Sequence, residues 1–419
     1  GLRKWSDDAM DMSGNQLSLE NQFIELADYL IDTFQDAKEY GSILTVKEAN
    51  YDGLLDYIEE IQQHGASDLA VSAWIGEIAD RMPALIKQAK IMSMKYDVCV
   101  TNPPYRGVSD VSENLRSYLK TEYPFSCSDL STVFMDYGLD IIRNQGYLSM
   151  INIPVWLSLA SYTKLRKRII DNFSIINLLH LGRGVFGSDY GTVSFIISNT
   201  HQDNYHGFYK KFFQRLSLVT SVEDKKEIFF GKTRDYKANQ SLYKKLPNYL
   251  IAYAANSIFV KAFTEHKELN HFATIFEGLK TRNKDKFVRL WHEISSPAWK
   301  PYAKGGNFRR WYGNDDYVVK WGEDGSEIRN YKKSSGANFQ YYNNETITYN
   351  AMTMSPFTGR YIKNQLFGGG GGGITNSKHI LSILAFVNSV VFNYIISPMK
   401  STVNFEVGRE CKMKCVSYR

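Results

Sequence analysis

The sequence predicts a mixed α/β chain in which a helical segment precedes a sheet with covering helices, and an α+β block follows. Three observations predict this fold class: apolar residues at helical spacing within residues 1–95, short apolar runs alternating with helical stretches from Tyr96, and a Trp-rich basic block after residue 270. The chain has 419 residues, 43% apolar and 22% charged, which is the composition of about two to three globular domains.

The helical segment is also the acidic part of the chain. Apolar side chains recur at three- and four-residue steps along its first predicted helix, at Leu19, Phe23, Leu26, Leu30 and Phe34. Residues 1–100 carry 8 Lys and Arg against 18 Asp and Glu, a net charge of −10, so the rest of the chain carries +16. That asymmetry favours a polyanionic partner, although solvated charged faces explain it about equally well.

From residue 96 the pattern becomes that of a sheet covered by helices. Strands are predicted at 97–100, 146–153, 175–181 and 192–198, and helices at about 129–142 and 160–172. We divide the chain into a portion at 96–200, a polar connector of unassigned structure at 201–270, and a further region at 271–419. Functional loops of α/β sheets lie at the carboxyl ends of strands, so residues 102–105 are the first candidate site.

Composition excludes several kinds of protein. No apolar run reaches about 18 residues, so no transmembrane span is predicted, and four cysteines are too few for a disulfide framework, which favours a cytoplasmic protein. Cys411 and Cys415 have no histidine partners nearby in the sequence, so no metal site is expected. The six glycines at 368–373 lack the Lys-Ser/Thr of a phosphate-binding loop, and we interpret them as a flexible loop.

The strongest chemical signal is Asn102-Pro103-Pro104-Tyr105, which follows an apolar strand and precedes Gly107. An exocyclic amine conjugated to a ring is a poor nucleophile because its lone pair is delocalised. The side-chain oxygen of Asn102 and the carbonyl of Pro103 can accept both of its N–H groups and aim the lone pair at an electrophilic methyl group. The two prolines stiffen the loop, and Tyr105 offers a face on which a planar base can stack.

This chemistry predicts an amino-methyltransferase whose methyl donor is S-adenosylmethionine. No strong general base is needed, since the amine loses a proton during or after transfer. The alternative is an Asx-Pro-Pro turn that ends a strand, with Tyr105 merely packed against the fold. The apolar strand that leads into the motif favours the functional interpretation.

Further strings resemble one family, the adenine-specific DNA methyltransferases of BREX phage-defence systems known as PglX. The resemblance spans about residues 90 to 408 and is most specific in its later part. The matching strings are Tyr96-Asp97-Val98 with Asn102 to Tyr105, Ser128-Asp129-Leu130 with Phe134, Gly146-Tyr147-Leu148, His180-Leu181-Gly182 with Val185-Phe186, Thr274 to Thr281, Lys304-Gly305-Gly306 with Arg310 to Asn314, and Asn404-Phe405 with Val407-Gly408.

The resemblance implies a fold and an activity. The fold would be the C-terminal half of a Rossmann-like S-adenosylmethionine-dependent methyltransferase sheet, followed by a partial target-recognition region over 271–419. The activity would be methyl transfer to N6 of an adenine flipped out of double-stranded DNA. The setting would be antiviral defence of the restriction-modification kind, with other BREX components as candidate partners.

The resemblance also implies site residues. Asn102, Pro103, Pro104 and Tyr105 would hold the flipped adenine, with Tyr105 stacked on the base. Phe186 would form a second aromatic wall, or equally well be a core phenylalanine, and Asp129 would support the cofactor and base pocket. Contacts to the DNA backbone, each a surface charge by default, are expected from Lys280, Arg282, Lys284, Lys304, Arg309 and Arg310.

One feature of the family is not found in residues 1–101, namely the glycine-rich cofactor loop that would precede the motif. The chain is therefore expected to be a fragment without the cofactor-binding half, and inactive by itself. Two other functions stay open: a methyltransferase acting on RNA guanine or a release-factor glutamine, and a catalytically incomplete DNA-binding fragment. The 314 residues after Tyr105 favour a separate recognition region and hence the DNA enzyme.

Overall fold

The computed structural model forms two compact units, Gly1–Met150 and Ile151–Arg419. The domain boundaries predicted at residues 95, 200 and 270 stay predictions. Asn404, Phe405, Val407, Gly408 and Cys411, which the sequence analysis used, lie outside the residues that the structure describes. Those residues are 14–64, 69–186, 191–214, 218–331, 339–342, 344–353, 355–397 and 414–415.

The first unit is mainly helical, as its apolar spacing predicts. Its α-helices are α1 (Gly14–Phe34), α2 (Ala37–Tyr40), α3 (Tyr51–His64), α4 (Leu69–Ser93), α5 (Glu113–Glu122) and α6 (Leu130–Ile141). Helices α1, α3 and α4 share one apolar core, in which Leu30, Leu54 and Ile86 are buried. Polar residues lie outside it, where Lys90 Nζ is 2.6 Å from Asp52 Oδ1. This predicted helical layer is confirmed.

Two parallel strands form the sheet of this unit, and the first of them leads into the motif at residues 102–105. They are β1 (Tyr96–Thr101) and β2 (Ile142–Asn152), with Thr101 paired to Met150. Gly146 is required in β2, because a Cβ there would lie 2.9 Å from the carbonyl oxygen of Asp97. Gly138 similarly lets α6 approach Leu148 on the sheet, where a Cβ would be 2.7 Å from Cδ1. These close approaches let β1, β2 and the last turn of α6 pack tightly together.

The second unit carries three sheets and a short strand pair. Its α-helices are α7 (Thr163–Asn172), α8 (Val222–Phe230), α9 (Ser257–Glu265), α10 (Lys284–Phe287), α11 (Ser326–Arg329), α12 (Ile380–Val387) and α13 (Val390–Ile396). Its strands are β3 (Ser174–Gly182), β4 (Thr192–Ser198), β5 (His206–Lys211), β6 (Asp235–Asn239), β7 (Lys267–Glu268), β8 (Thr274–Glu277), β9 (Val288–Leu290), β10 (Trp299–Ala303), β11 (Tyr317–Lys320), β12 (Thr346–Asn350), β13 (Gly359–Ile362), β14 (Leu366–Phe367), β15 (Gly371–Thr375) and β16 (Lys414–Cys415).

In the first of these sheets, the strands of this unit follow one another in the order β4-β3-β5-β6. Strand β3 is antiparallel to β4 and parallel to β5, and β5 is antiparallel to β6. The predicted strands at 175–181 and 192–198 are confirmed as β3 and β4. The connector at 201–270, which the sequence left without assigned structure, adds β5 and β6 to the same sheet.

The later part of the unit holds two four-stranded sheets, ordered β14-β10-β11-β9 and β13-β12-β15-β8. The glycine run at 368–373 was wrongly interpreted as a flexible loop. Gly371, Gly372 and Gly373 open strand β15, which is buried and pairs with both β12 and β8. A Cβ on Gly372 would lie 2.1 Å from Tyr349 Oη, and one on Gly373 would lie 2.3 Å from the Phe367 ring. Aromatic rings occupy the space that side chains would need.

The mixed α/β fold class is thus confirmed. No α-helix among the described residues is long and apolar enough to cross a membrane.

Candidate active site and nucleic-acid interface

The motif at 102–105 forms a loop at the carboxyl end of β1, where the sequence predicts a functional loop. Asn102 and Pro104 are exposed, Tyr105 is half-buried and Pro103 is buried. The Tyr105 hydroxyl donates a hydrogen bond to Asn102 Oδ1 at 2.8 Å. This bond fixes the orientation of the Asn102 amide, because a hydroxyl that donates must face the amide oxygen and not the amide nitrogen.

Tyr105 is held in the protonated form that this hydrogen bond needs. Burial raises the pKa of Tyr105, because desolvation disfavours the phenolate. The hydroxyl therefore stays a donor across the physiological pH range. Asn102 Oδ1 has a second lone pair, which leaves it able to accept one N–H from a substrate amine.

The segment after the motif is fastened to the start of α6. The Leu130 amide donates to the Arg106 carbonyl at 2.9 Å, and the Val108 amide donates to the Ser128 carbonyl at 3.1 Å. Between these bonds, Gly107 forms an antiparallel bridge with Asp129. The structure thus brings the motif and the Asp129 segment together, although 24 positions separate Tyr105 from Asp129 in the sequence.

Asp129 is the residue immediately before α6. Its side chain is 8% exposed, and Oδ1 accepts from the Ser131 amide at 2.9 Å and from Ser131 Oγ at 2.6 Å. This is the geometry of a helix N-cap, which satisfies an otherwise unpaired amide of the first turn. The carboxylate thus has a structural use that its position in the sequence alone did not indicate. Its expected support of a cofactor pocket stays a prediction.

In the second unit, Phe186 lies beyond the end of β3 and is 51% exposed. This exposure rules out the alternative of a core phenylalanine. The segment leading to it turns through Gly182 and Gly184, which have φ of +71° and +79°. Side chains at these glycines would clash with Phe213 and Val219 at 2.6 and 2.7 Å, respectively. The predicted role of Phe186 as an aromatic wall remains a prediction.

Lys225 of α8 supports the same segment, since its Nζ donates to the Arg183 carbonyl at 2.7 Å.

His180, near the end of β3, is buried, and its Nδ1 is 2.8 Å from Tyr253 Oη. Burial, with a smaller effect from the charge of Lys211, lowers the pKa of His180 to about 3. A neutral, buried imidazole that is hydrogen-bonded to a buried tyrosine fits a structural role for His180.

The predicted DNA-contacting residues all lie in the later part of the second unit, but they differ in their surroundings. Lys280 Nζ is 2.6 Å from Glu277 Oε1, and Lys304 Nζ lies 4.1 Å from the centre of the Tyr317 ring. The exposed members are Arg282, Lys284, Arg309 and Arg310. Arg309 and Arg310, which are exposed and adjacent in the sequence, are the better candidates for the largest effects on DNA binding.

Two residues of this region were missed from the sequence, Asn350 and Arg360. Arg360 is 1% exposed and donates through Nη2 to Asn350 Oδ1 at 2.8 Å. Its burial lowers its pKa to about 10. An isolated arginine inside a strand gives no sequence signal for burial, because arginines are mostly exposed.

Among the residues described, no group of three or more His, Cys, Asp and Glu side chains is arranged to hold a metal ion.

Comparison with known proteins adds a family context to this geometry. A profile described as the Eco57I restriction-modification methylase matches residues 12–186. The chain is 32% identical over 398 residues to the adenine-specific methyltransferase BrxX of Escherichia coli O9:H4 (strain HS), an alignment that covers 90% of this chain and 32% of that protein. It is 28% identical over 418 residues to the adenine-specific methyltransferase PglX of Lacticaseibacillus casei (strain Zhang), covering 91% and 34%.

The chain therefore spans about a third of the length of these curated relatives. Among solved structures, it matches that of the Type IIL restriction-modification enzyme MmeI in complex with DNA. That match has a TM-score of 0.50 at 12% identity, and covers 92% of this chain and 66% of the other. It supports the fold alone. The resemblance found from the sequence is confirmed: over nine tenths of its length, this chain is a relative of the adenine-specific methyltransferases BrxX and PglX.

Proposed function

We propose that this chain carries the amine-binding loop and the DNA-facing region of an N6-adenine DNA methyltransferase of a BREX-type phage-defence system. The observation that carries the proposal is the Asn102 amide at the carboxyl end of a parallel strand, with its oxygen oriented by the Tyr105 hydroxyl. The similarity to adenine-specific methyltransferases over most of the chain supports the choice of adenine.

The loop residues would divide the work between them. Asn102 Oδ1 accepts one N–H of the adenine amine and the Pro103 carbonyl accepts the other, which directs the nitrogen lone pair out of the base plane. Pro103 is buried, so its carbonyl is anchored before the base arrives. The Tyr105 ring offers a stacking face while its hydroxyl keeps the Asn102 amide in one orientation.

S-adenosylmethionine, when bound, supplies the methyl group. The residues of this chain fit the acceptor side of that chemistry, because the loop carries two oxygen acceptors, Asn102 Oδ1 and the Pro103 carbonyl. Asp129 is joined to the loop through Gly107 and is the candidate to support the donor. Its Oδ1 already accepts two hydrogen bonds from Ser131, so that role would fall to Oδ2.

The substrate would be double-stranded DNA in the cytoplasm. The target adenine leaves the stack at a cost of a few kcal/mol and enters the loop, with Phe186 as a second aromatic wall. The exposed arginines of the later block would hold the backbone around it. Methylation would mark host DNA in a defence system whose other components are candidate partners.

A methyl-transfer assay tests this function. The protein, expressed from its complete natural gene, is given radiolabelled S-adenosylmethionine with duplex DNA, ribosomal RNA or a release factor. We expect label in DNA as N6-methyladenine, and loss of at least a hundredfold in rate with Asn102→Ala. Asn144→Ala, an exposed asparagine at the start of β2, is the matched control and should be unaffected. Label confined to RNA or protein would contradict the proposal.

A further inference from the structure

An exposed loop between β10 and β11 presents aromatic rings and guanidinium groups side by side. Five consecutive residues of this loop, Phe308 to Tyr312, comprise three aromatic residues and two arginines. Phe308, Trp311 and Tyr312 are 46%, 48% and 66% exposed. Contiguous exposed apolar surface on a folded protein marks a binding site more often than chance.

The loop is not a slack connection, because hydrogen bonds close its stem. Asn314 Nδ2 donates to the Asn307 carbonyl at 2.9 Å and ties the two ends together. The Trp311 amide donates to the Gly359 carbonyl at 3.1 Å, and the Trp311 carbonyl accepts from the Tyr361 amide at 2.9 Å. The backbone of Trp311 is therefore hydrogen-bonded to β13 on both sides of Arg360.

The backbone of Trp311 is also strained, with φ of +76°. A bulky residue in this left-handed region costs about 1–3 kcal/mol and persists only where the surroundings impose it. Here the two bonds to β13 impose it. The strain turns the indole outward rather than into the apolar interior, as its exposure records.

A polar pair, the buried Arg360 and the half-buried Asn350, supports the other end of the loop. Arg360 Nη2 donates to Asn350 Oδ1, and Asn350 Nδ2 donates to the Gly306 carbonyl, each at 2.8 Å. Among the described residues, Nε and Nη1 of Arg360 have no hydrogen-bond partner. An arginine buried with so few partners is costly, and apolar packing would serve stability as well. What Arg360 does here is orient Asn350, and through it Gly306.

We propose that residues 306–314 form a DNA-probing loop, in which Arg309 and Arg310 contact phosphates and Phe308 and Trp311 pack against exposed bases, with Asn350 and Arg360 as positioning residues. The proposal rests on the proposed function, whose substrate it locates on a named loop. Aromatic rings beside arginines match duplex or partly opened DNA, which offers both π-faces and phosphates.

The acidic side chains beside the loop do not outnumber its cations, since Lys304, Arg309 and Arg310 stand against Asp315 and Asp316 within residues 304–316. Asp315 Oδ2 accepts from the Tyr312 hydroxyl at 2.9 Å, so its carboxylate is engaged within the stem. Asp316 is exposed, at the foot of the loop. Its backbone carbonyl accepts a hydrogen bond from the Trp291 amide at 3.0 Å. Arg309 and Arg310 are both exposed and precede these carboxylates in the sequence.

The charge contribution is tested by the salt dependence of DNA binding. The full chain binds a fluorescein-labelled 30-base-pair duplex of mixed sequence, followed by anisotropy at several salt concentrations. We expect Arg309→Gln/Arg310→Gln to flatten the slope of log K against log salt by about 0.9 for each arginine. Lys378→Gln, at an exposed lysine of the same unit, is the charge control and should leave the slope unchanged.

The aromatic contribution is tested without a change of charge. Phe308→Ala/Trp311→Ala should weaken binding about tenfold or more while the salt slope stays the same. Trp311→Phe retains a ring and should restore most of the affinity that Trp311→Ala loses. Phe230→Ala removes a ring that is 83% exposed elsewhere in the unit and serves as the control.

The positioning residues are tested with Asn350→Asp. The new carboxylate still accepts from Arg360 but no longer donates to the Gly306 carbonyl. We expect an unchanged melting temperature, faster trypsin cleavage after Arg309 or Arg310, and weaker DNA binding at the same salt slope. Unchanged cleavage and unchanged affinity would overturn the positioning role.

The outcomes separate this proposal from the proposed function. If the loop variants bind DNA like the unaltered chain, the loop proposal is wrong, whatever the methyl-transfer assay gives. If the loop variants lose DNA affinity but methyl transfer goes only to RNA or protein, the loop proposal stands and the adenine function falls. Loss of a protein partner with intact DNA affinity would also overturn the DNA assignment.

Discussion

At the scale of single residues, the sequence predicts the chemistry of the motif but not the hydrogen bond that orients the Asn102 amide. The chemistry of Asn102 and Pro103 follows from their residue types and order. The hydrogen bond from Tyr105 to Asn102 does not, because Tyr105 was expected only as a stacking face. Its hydroxyl reaches back three positions, across the two intervening prolines, to the Asn102 oxygen. The motif thus carries its own orienting group.

Tyr105→Phe isolates that orienting group. The ring stays, the hydroxyl goes, and Asn102 loses the donor that fixes its amide. One such hydrogen bond is worth about 1 kcal/mol, so we expect the single-turnover rate to fall about five- to tenfold with little change in DNA affinity. Tyr105→Ala removes the ring as well and should lower both. Equal rates for the unaltered protein and Tyr105→Phe would show that the bond does not act in transfer.

The pH dependence of the rate provides an independent check on Tyr105. Burial raises its pKa, so the folded protein holds this proton more tightly than an unfolded chain does. The contribution of the Tyr105 hydroxyl to the rate is therefore complete below the ordinary tyrosine pKa of about 10. It is lost only as the pH rises through the higher pKa of the folded protein. The Tyr105-dependent part of the rate should therefore be level from pH 7 to about pH 9. A decline within that range that Tyr105→Phe abolishes would contradict this assignment.

At the scale of elements, Asp129 combines a structural role with a predicted functional one. Asp129→Ala removes the N-cap of α6 and should lower the free energy of unfolding by about 1 kcal/mol. Asp129→Ser keeps a capping oxygen and should retain most of that stability. Chemical denaturation measures both variants. If Asp129→Ser is as unstable as Asp129→Ala, the N-cap assignment is wrong.

The same pair of variants separates the two roles. A methyl-transfer rate that falls with Asp129→Ser, at preserved stability, would support a role beyond capping. A preserved rate would leave Asp129 as a cap only.

The glycine-rich strand β15 gives a second prediction at this scale. Gly372→Ala would place a Cβ against Tyr349, so we expect a loss of several kcal/mol in unfolding free energy. Gly370→Ala is the matched control, because a Cβ there would meet its nearest atom, the Lys304 carbonyl oxygen, at 3.3 Å in an exposed position. Thermal melting compares the two. Equal, small effects would return the glycine run to the loop interpretation.

The glycine run also explains where sequence patterns stop being informative. A run without side chains has no periodicity, so nothing in residues 368–373 indicates a strand. The information lies in Tyr349 and Phe367, whose rings fill the vacant space from other strands. By contrast, β3 and β4 are apolar runs with turn signals at their ends, and their own residues were enough to predict them.

At the scale of the whole molecule, the division of charge is the feature that the sequence predicted most directly. Residues 1–100 carry −10 and the remainder +16, and the arginines that we propose as DNA contacts, Arg282, Arg309 and Arg310, lie in the second unit. The sequence could not assign residues 201–270, because β5 and β6 are short strands rich in Tyr and Lys without clean alternation. Strand β5 pairs with β3, and β6 pairs with β5, in each case across more than twenty residues of chain, and pairing across that distance leaves no local signal.

The charge division predicts a salt-sensitive interaction with DNA. We expect the association constant of the full chain for a duplex to fall about tenfold or more between 50 and 200 mM salt, which contact with only two phosphates would already produce. Anisotropy of a labelled duplex measures this. A duplex affinity that does not respond to salt would mean that the basic surface faces water and not DNA.

The central claim is that Asn102 and Pro103 hold the amine of a flipped adenine. The most direct measurement is a structure of the protein, expressed from its complete natural gene, with a duplex and a non-reactive analogue of S-adenosylmethionine. We predict an extrahelical adenine whose N6 lies at hydrogen-bond distance, about 3 Å, from both Asn102 Oδ1 and the Pro103 carbonyl oxygen. A duplex bound with all bases stacked, or an adenine held elsewhere, would contradict the claim.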